Sequence, residues 1–220
     1  TKHAHDIGAD GVGILSPSYF KVSRQELIQW YAAAARSVPA DFPIYLYAIP
    51  QLAGNDIAPG VADELARTYP NIVGIKYSYS DTSRIQELLD VNDGKFGVVV
   101  GNDKLFLPGL LMGCVGTVSG CAGPMPEYFV GIYQAYLRGD ITLAAQLQRE
   151  AVNVVNRLYS GGRIEVFKAV LELRGIPGGH MRAPLADCDE AELAQLRQIF
   201  RPLIERAEQI GRMACEEKGA

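Results

Sequence analysis

The sequence predicts an α/β fold on parallel strands, either an open doubly wound sheet or a barrel of alternating strands and helices. Three observations carry that expectation. Short apolar runs recur from Val12 to Ser119 with helical stretches between them. The runs are continuous rather than alternating, the pattern of strands covered on both faces, and right-handed helical crossovers join such strands economically. Polar residues sit at the carboxyl end of nearly every run: Ser16 and Tyr19, Tyr47, Lys76, Asn102 and Asp103, Ser119.

Thr1 to Ile7 reads as the end of a helix stopped by Gly8. The chain opens on Thr1 in the middle of a pattern, so a longer parent chain is expected. Val12 to Leu15 is the first strand, followed by a helix from about Ser23 to Ser37 with Leu27, Ile28, Trp30 and Tyr31 as its apolar stripe. Pro43 to Ile49 is the second strand, with a helix near Pro59 to Thr68. Ile72 to Lys76 is the third, with a helix over Thr82 to Asp90. Phe96 to Val100 is the fourth, with a helix near Leu105 to Met112. Val115 to Ser119 is the fifth, with a helix near Pro126 to Leu137. The rhythm changes at Gly139. Asp140 or Thr142 caps a long amphipathic helix to about Tyr159, Glu165 to Arg174 forms another, and a last helix runs from about Asp189 to Met213 after the loop Gly175 to His180. Residues 1–139 are therefore expected to form a sheet domain and 140–220 a helical one, with a frayed tail from Glu216 to Ala220.

Composition narrows the function. The 220 residues carry 21 Lys+Arg against 25 Asp+Glu, a net charge of −4 without a basic stripe, which argues against nucleic acid as partner. Four cysteines (Cys114, Cys121, Cys188, Cys215) make no CxxC pair, so reduced thiols of a cytoplasmic protein are expected. No charged and then apolar leader opens the chain. Residues 105–126 are uncharged, but five glycines and three prolines interrupt them, so no membrane span is expected there.

Lys76 ends the apolar strand Ile72-Val-Gly-Ile-Lys76. A lysine pressed toward a low-dielectric interior is readier to exist as the neutral, nucleophilic amine, although a lysine at a strand end also simply reaches water. Tyr45 and Tyr47 share one side of their strand by period-two geometry. Tyr47, nearer the reactive edge, is a candidate acid or base, and packing with a satisfied hydroxyl is the other reading. Tyr19, in the loop after the first strand, reads in isolation as an exposed or interface aromatic. His3, His5 and His180 make no metal set. Gly120-Cys-Ala-Gly123 lacks the dinucleotide fingerprint and reads as a tight turn.

Together these segments resemble the pyruvate-dependent class I aldolase family that includes dihydrodipicolinate synthase and N-acetylneuraminate lyase. Asn71-Ile-Val-Gly-Ile-Lys76 is similar to the Schiff-base lysine strand, and Tyr47-Ala-Ile-Pro50 with Gly54 to the family's Tyr-Asn-x-Pro segment. Gly8-Ala-Asp-Gly11 through Ser16-Pro-Ser-Tyr19 resembles the tyrosine loop. Gly101-Asn-Asp103, Gly113 to Ser119 and Arg182-Ala-Pro-Leu185 extend the likeness over the chain. The resemblance implies a (β/α)8 barrel with a C-terminal helical domain. This chain would supply the equivalents of strands four to eight, without the first three and their carboxylate-binding loop.

It also implies a mechanism: Lys76 forms an imine with pyruvate or another 2-keto acid, Tyr47 relays a proton, and Tyr19 completes the relay in a neighbouring subunit. Val118 and Ser119 would line the pyruvate end, and Asp103 would meet substrate hydroxyls. No metal or separate cofactor is implied, and the expected assembly is a homodimer or homotetramer. Where lysine-pathway synthases usually carry an arginine, this chain has Leu52, which has neither charge nor fork for a carboxylate. Lys104 stands where sialic-acid lyases have an acidic residue, Ala48 replaces the usual Asn, and Ser18 an interface aromatic. The expectation is a pyruvate-linked aldolase or lyase, with sugar-acid breakdown as its context. Dihydrodipicolinate synthase itself is the second reading, and a noncatalytic fragment or paralogue the third.

Overall fold

The computed structural model describes residues 1–216, with side chains to residue 213; the end of the expected tail and the Cys215 thiol lie outside the described residues. Two compact units are present, Thr1–Val118 and Ser119–Ala220. The change of rhythm read from sequence comes later, at 139/140.

The first unit begins with α1 (Lys2–Asp6), β1 (Val12–Leu15), α2 (Arg24–Arg36), β2 (Ile44–Ala48) and a short α3 (Pro50–Ala53). It continues with α4 (Pro59–Thr68), β3 (Ile72–Tyr77), α5 (Thr82–Leu89) and the turn-like α6 (Val91–Gly94). β4 (Gly97–Val100), α7 (Phe106–Met112) and β5 (Gly116–Thr117) complete it. Local chemistry sets the helix ends. The Ser23 hydroxyl accepts the Glu26 N–H while Glu26 Oε2 accepts the Ser23 N–H at 2.7 Å, a capping box that starts α2. Asp81 Oδ1 accepts the Arg84 N–H and starts α5 in the same sense.

All five strands are parallel and lie in the order β1-β2-β3-β4-β5. Each helical crossover therefore advances the chain by one strand and none reverses it. An open doubly wound sheet must reverse at its switch point, so this order is an arc of a (β/α)8 barrel and decides between the two architectures.

One face of the arc is fully covered. Ile44, Leu46, Ile75, Tyr77, Val98 and Val100 pack with Leu27, Tyr31, Leu65, Ile85 and Leu88 in a single core. The other face carries Tyr45, Tyr47, Lys76 and Val99 and is only half-buried. The continuous apolar runs predict two covered faces; among the described residues one is covered, because the chemistry-bearing side chains alternate with the core ones.

The second unit holds α8 (Pro126–Leu137), α9 (Ile141–Arg157), α10 (Ile164–Leu173) and α11 (Glu190–Glu216). Of the two caps considered for α9, Asp140 is the one used: its carboxylate accepts the Leu143 N–H at 2.9 Å. Gly123 N–H donates to the Gly120 carbonyl, the tight turn expected there. Among the described residues no helix is long and apolar enough to cross a membrane.

A mostly buried ion pair joins α8 to the end of α10. Arg174 Nη1 donates to Glu127 Oε2 at 2.9 Å and to the Pro124 carbonyl at 2.8 Å, and Nη2 donates to Glu127 Oε1. Burial opposes ionisation of Glu127, but the Arg174 hydrogen bonds outweigh it and hold the carboxyl below its usual range. A depressed folded pKa means the stabilisation is complete above the unfolded value and is lost as pH falls through the folded one. Glu127→Gln should thus cost about 2 kcal/mol near neutral pH, and the gap from the parent protein should close as pH falls below the ordinary carboxylate range. Urea unfolding of both proteins across that range measures it; a gap independent of pH would remove the ionised carboxylate from this role.

Candidate active site

The half-buried face of the arc is organised in rungs. Leu15 pairs with Tyr47, Tyr47 with Lys76 and Lys76 with Val99, one residue from each of four strands. The rung depends on a register shift. Ile44 pairs with Ile72, but Tyr45 pairs with Gly74, so Val73 is passed over. Without that extra residue Lys76 would pair with Ala48 and point into the helix-covered core, since a one-residue slip exchanges the faces of a strand.

The Lys76 amine stands over the Tyr47 ring, 4.0 Å from its centroid. That is cation–π geometry, with the amine on the face of the ring. An amine, a phenol and an open carboxyl-end edge are the parts needed for covalent chemistry on a carbonyl with proton transfer beside it.

Of the other sequence-read residues, Asp103, Val118 and Ser119 come just after β4 and β5 in the chain. Val118, 51% exposed, follows β5, and its N–H donates to the Val100 carbonyl at 3.0 Å. Thr117 Oγ1 donates to that same carbonyl at 2.7 Å and pins the end of β5 to β4. Asp103 opens a single 3₁₀ turn just past β4, where Asn102 Oδ1 accepts the Lys104 N–H. Ser119 begins the second unit, and its hydroxyl accepts the Ala122 N–H at 3.0 Å.

Tyr19 lies in the loop between β1 and α2. It is 90% exposed, its ring meets Phe20 edge-on at 4.8 Å, and its φ of 78° is left-handed. Such a backbone costs about 1–3 kcal/mol outside glycine and persists only when neighbours hold it. Asn55 is the holder. Its Nδ2 donates to the Pro17 and Phe20 carbonyls at 2.8 and 2.7 Å, and its Oδ1 accepts the Val22 N–H at 3.0 Å. Sequence reading missed Asn55; the Gly54-Asn55 pair after Pro50 was the available signal, because Asn satisfies nearby backbone groups in turns. Gln51 was missed too: its amide donates to the Ser78 carbonyl at 2.8 Å and ties α3 to the end of β3.

The charges of the first unit bear on what could bind. Its four arginines are all engaged: Arg24 with Glu64, Arg36 with the Tyr69 hydroxyl, Arg67 with Asp63 and Asp93, and Arg84 with Asp56 and Glu87. Leu52, on α3, is 77% exposed. Among the described residues no group of three or more His, Cys, Asp or Glu is placed to hold a metal ion.

The model of the dihydrodipicolinate synthetase family matches residues 1–202. A 4-hydroxy-tetrahydrodipicolinate synthase of Methanoculleus marisnigri is 36% identical over 201 residues, 91% of this chain and 68% of the relative. A DapA-like lyase of Halobacterium salinarum, itself uncharacterised, is 34% identical over 89% of this chain and 63% of its own length. The structure of the 4-hydroxy-tetrahydrodipicolinate synthase from Methylacidiphilum fumariolicum SolV superposes with a TM-score of 0.85 at 31% identity, covering 96% of this chain and 70% of that one. YagE, an E. coli K12 prophage protein of the dihydrodipicolinic acid synthase family solved in complex with pyruvate, superposes with a TM-score of 0.83 at 29% identity, over 92% of this chain and 69% of that one.

Proposed function

Because the chain belongs to the dihydrodipicolinate synthetase family of carbon–carbon lyases, we propose that it acts on pyruvate or another 2-keto acid through an imine on Lys76. The observation that carries this reading is the Lys76 amine 4.0 Å over the Tyr47 ring at the carboxyl end of the strands. The neutral amine attacks C2 of the keto acid, and the carbinolamine loses water to give the imine. The imine withdraws electrons as a C3 proton leaves, and the resulting enamine attacks an aldehyde carbon; cleavage runs the same steps backward. Tyr47 passes the proton to or from the substrate hydroxyl. Val118 and Ser119 line the keto-acid end, Asp103 meets hydroxyls of the partner, and Tyr19 completes the relay of a neighbouring copy, with a homodimer as the smallest working unit. The exposure of Tyr19 supports that last role.

The partner aldehyde we favour is uncharged and hydroxylated, as in breakdown of sugar acids. Leu52 offers no charge, and the first unit's arginines are occupied, so a bidentate grip on a second carboxylate has no donor there. The alternative is 4-hydroxy-tetrahydrodipicolinate synthase, favoured by the names of relatives such as the Methanoculleus marisnigri protein.

Borohydride reduction with pyruvate, followed by peptide mass spectrometry, tests the imine. A reduced pyruvyl adduct on Lys76 is expected; a folded protein without it overturns the reading and leaves the noncatalytic alternative. Aspartate semialdehyde added with pyruvate separates the two synthetic readings, since robust condensation would favour the alternative. Tyr47→Phe should slow exchange of the pyruvate methyl protons with deuterated solvent by about 10²-fold. Trapping at Lys76 should persist in that variant, and unchanged exchange would remove Tyr47 from the relay.

A further inference from the structure

One layer inward from the Lys76 rung, the same face of the arc reads Gly13, Tyr45, Gly74, Gly97 across four successive strands. Three positions have no side chain, and one has a phenol. The phenol lies across the other two strands: a Cβ on Gly74 would fall on the Tyr45 ring, and a Cβ on Gly97 would come within 3.0 Å of Tyr45 Oη. The ring thus starts on β2, crosses β3 directly inward of Lys76 and reaches β4. It is the side chain that fills this layer on these four strands.

We propose that Tyr45 is a positioning residue, its ring the floor that keeps the Lys76 side chain extended toward the carboxyl end of the sheet. A lysine stem has four flexible methylenes and buries them readily against apolar surface. With the ring removed, Gly74 and Gly97 leave open space next to that stem, and the stem folds inward and draws the amine off the Tyr47 ring. With the ring present, the inward path is closed, and the amine stays where a carbonyl entering from the strand ends meets it. The hydroxyl plays no part in this role, because the blocking surface is the ring itself.

The inference rests on Lys76 being the imine-forming amine, and the test separates the two. Pyruvate trapping by borohydride is measured on the intact chain, as maximal rate and as half-saturating pyruvate, for the parent protein and for Tyr45→Phe, Tyr45→Leu and Tyr45→Ala, with folding checked by circular dichroism. Tyr45→Ala should lower the maximal rate of adduct formation by about 10²-fold, since displacements of about 1 Å in a reacting group have effects of that size. Tyr45→Phe should stay within about threefold of the parent, because the ring persists. Tyr45→Leu, with part of the volume retained, should fall between and carries the test should the alanine variant not fold. Parental rates in Tyr45→Leu and Tyr45→Ala, with Lys76 still labelled, overturn the floor and leave the imine standing. A loss in Tyr45→Phe equal to that in Tyr45→Ala also overturns it, by assigning the effect to the hydroxyl. No adduct in the parent protein overturns both.

Discussion

Lys76→Ala is expected to abolish borohydride-trapped adduct and to reduce exchange of the pyruvate methyl protons by more than ~10³-fold, equivalent to over ~4 kcal/mol of barrier. The imine is the electron sink for breaking the C3–H bond, and no other lysine of the first unit stands on the rung with Tyr47. Lys76→Arg should be as inactive, although it keeps the charge, because a guanidinium does not condense with a ketone. Both variants should fold, since residue 76 lies on the half-buried face and the core of the sheet is built from Ile72, Ile75 and Tyr77. Exchange is followed by proton NMR and needs no partner aldehyde. Near-parental exchange in a folded Lys76→Ala protein would dismiss the covalent mechanism.

The second large effect is on stability. Gly74 has no room for a side chain on the site face: a Cβ there would fall on the Gly97 carbonyl oxygen and on the Tyr45 ring, with Tyr45 Cδ1 also only 2.8 Å away. The ring can rotate away, but the carbonyl belongs to the neighbouring strand and cannot yield without parting the ladder. Gly74→Ala should therefore destabilise by about 3 kcal/mol, the upper end of overpacking effects, whereas typical surface changes stay within about 0.5 kcal/mol. The shift in urea midpoint measures it. Gly13→Ala on the same layer is the control, because a Cβ there meets nothing within 4 Å. Equal midpoints for the two variants would show that the sheet relaxes more freely than its close packing implies.

Much of this was legible in the linear chain. The five apolar runs fell on the five strands, with ends one to two residues shorter in β2, β4 and β5, where ladder pairing stops before apolar character does, and one residue longer in β3, which extends to Tyr77. Ser23 and Asp140 announced their helices, since capping chemistry is local. Two short elements, α3 and α6, escaped notice. Pro50 and Gly54 bound the first, and in the second Asn92 and Asp93 adopt left-handed backbone that no hydrophobic periodicity reports. Lys76 and Tyr47 stood out as candidates through the family resemblance of their segments, and the register places the two side by side. Asn55 did not, because its three hydrogen bonds close a loop more than thirty residues away in sequence.

From its residue order alone this chain is committed to alternating strands and helices, to a lysine at the end of the third strand and to a tyrosine at the end of the second. Helix caps, turn glycines and apolar runs act over a few neighbouring residues, so they can be read without knowing the fold. Strand order and register cannot be read that way. Whether the sheet opens or curves as a barrel arc follows from each crossover stepping one strand onward. Whether Lys76 faces Tyr47 or the helix-covered core follows from a single residue passed over at Val73. Both are properties of pairing between segments, set by which arrangement buries Ile72 and Ile75 together while leaving room for Tyr45 over two glycines, and only the packed structure makes that choice.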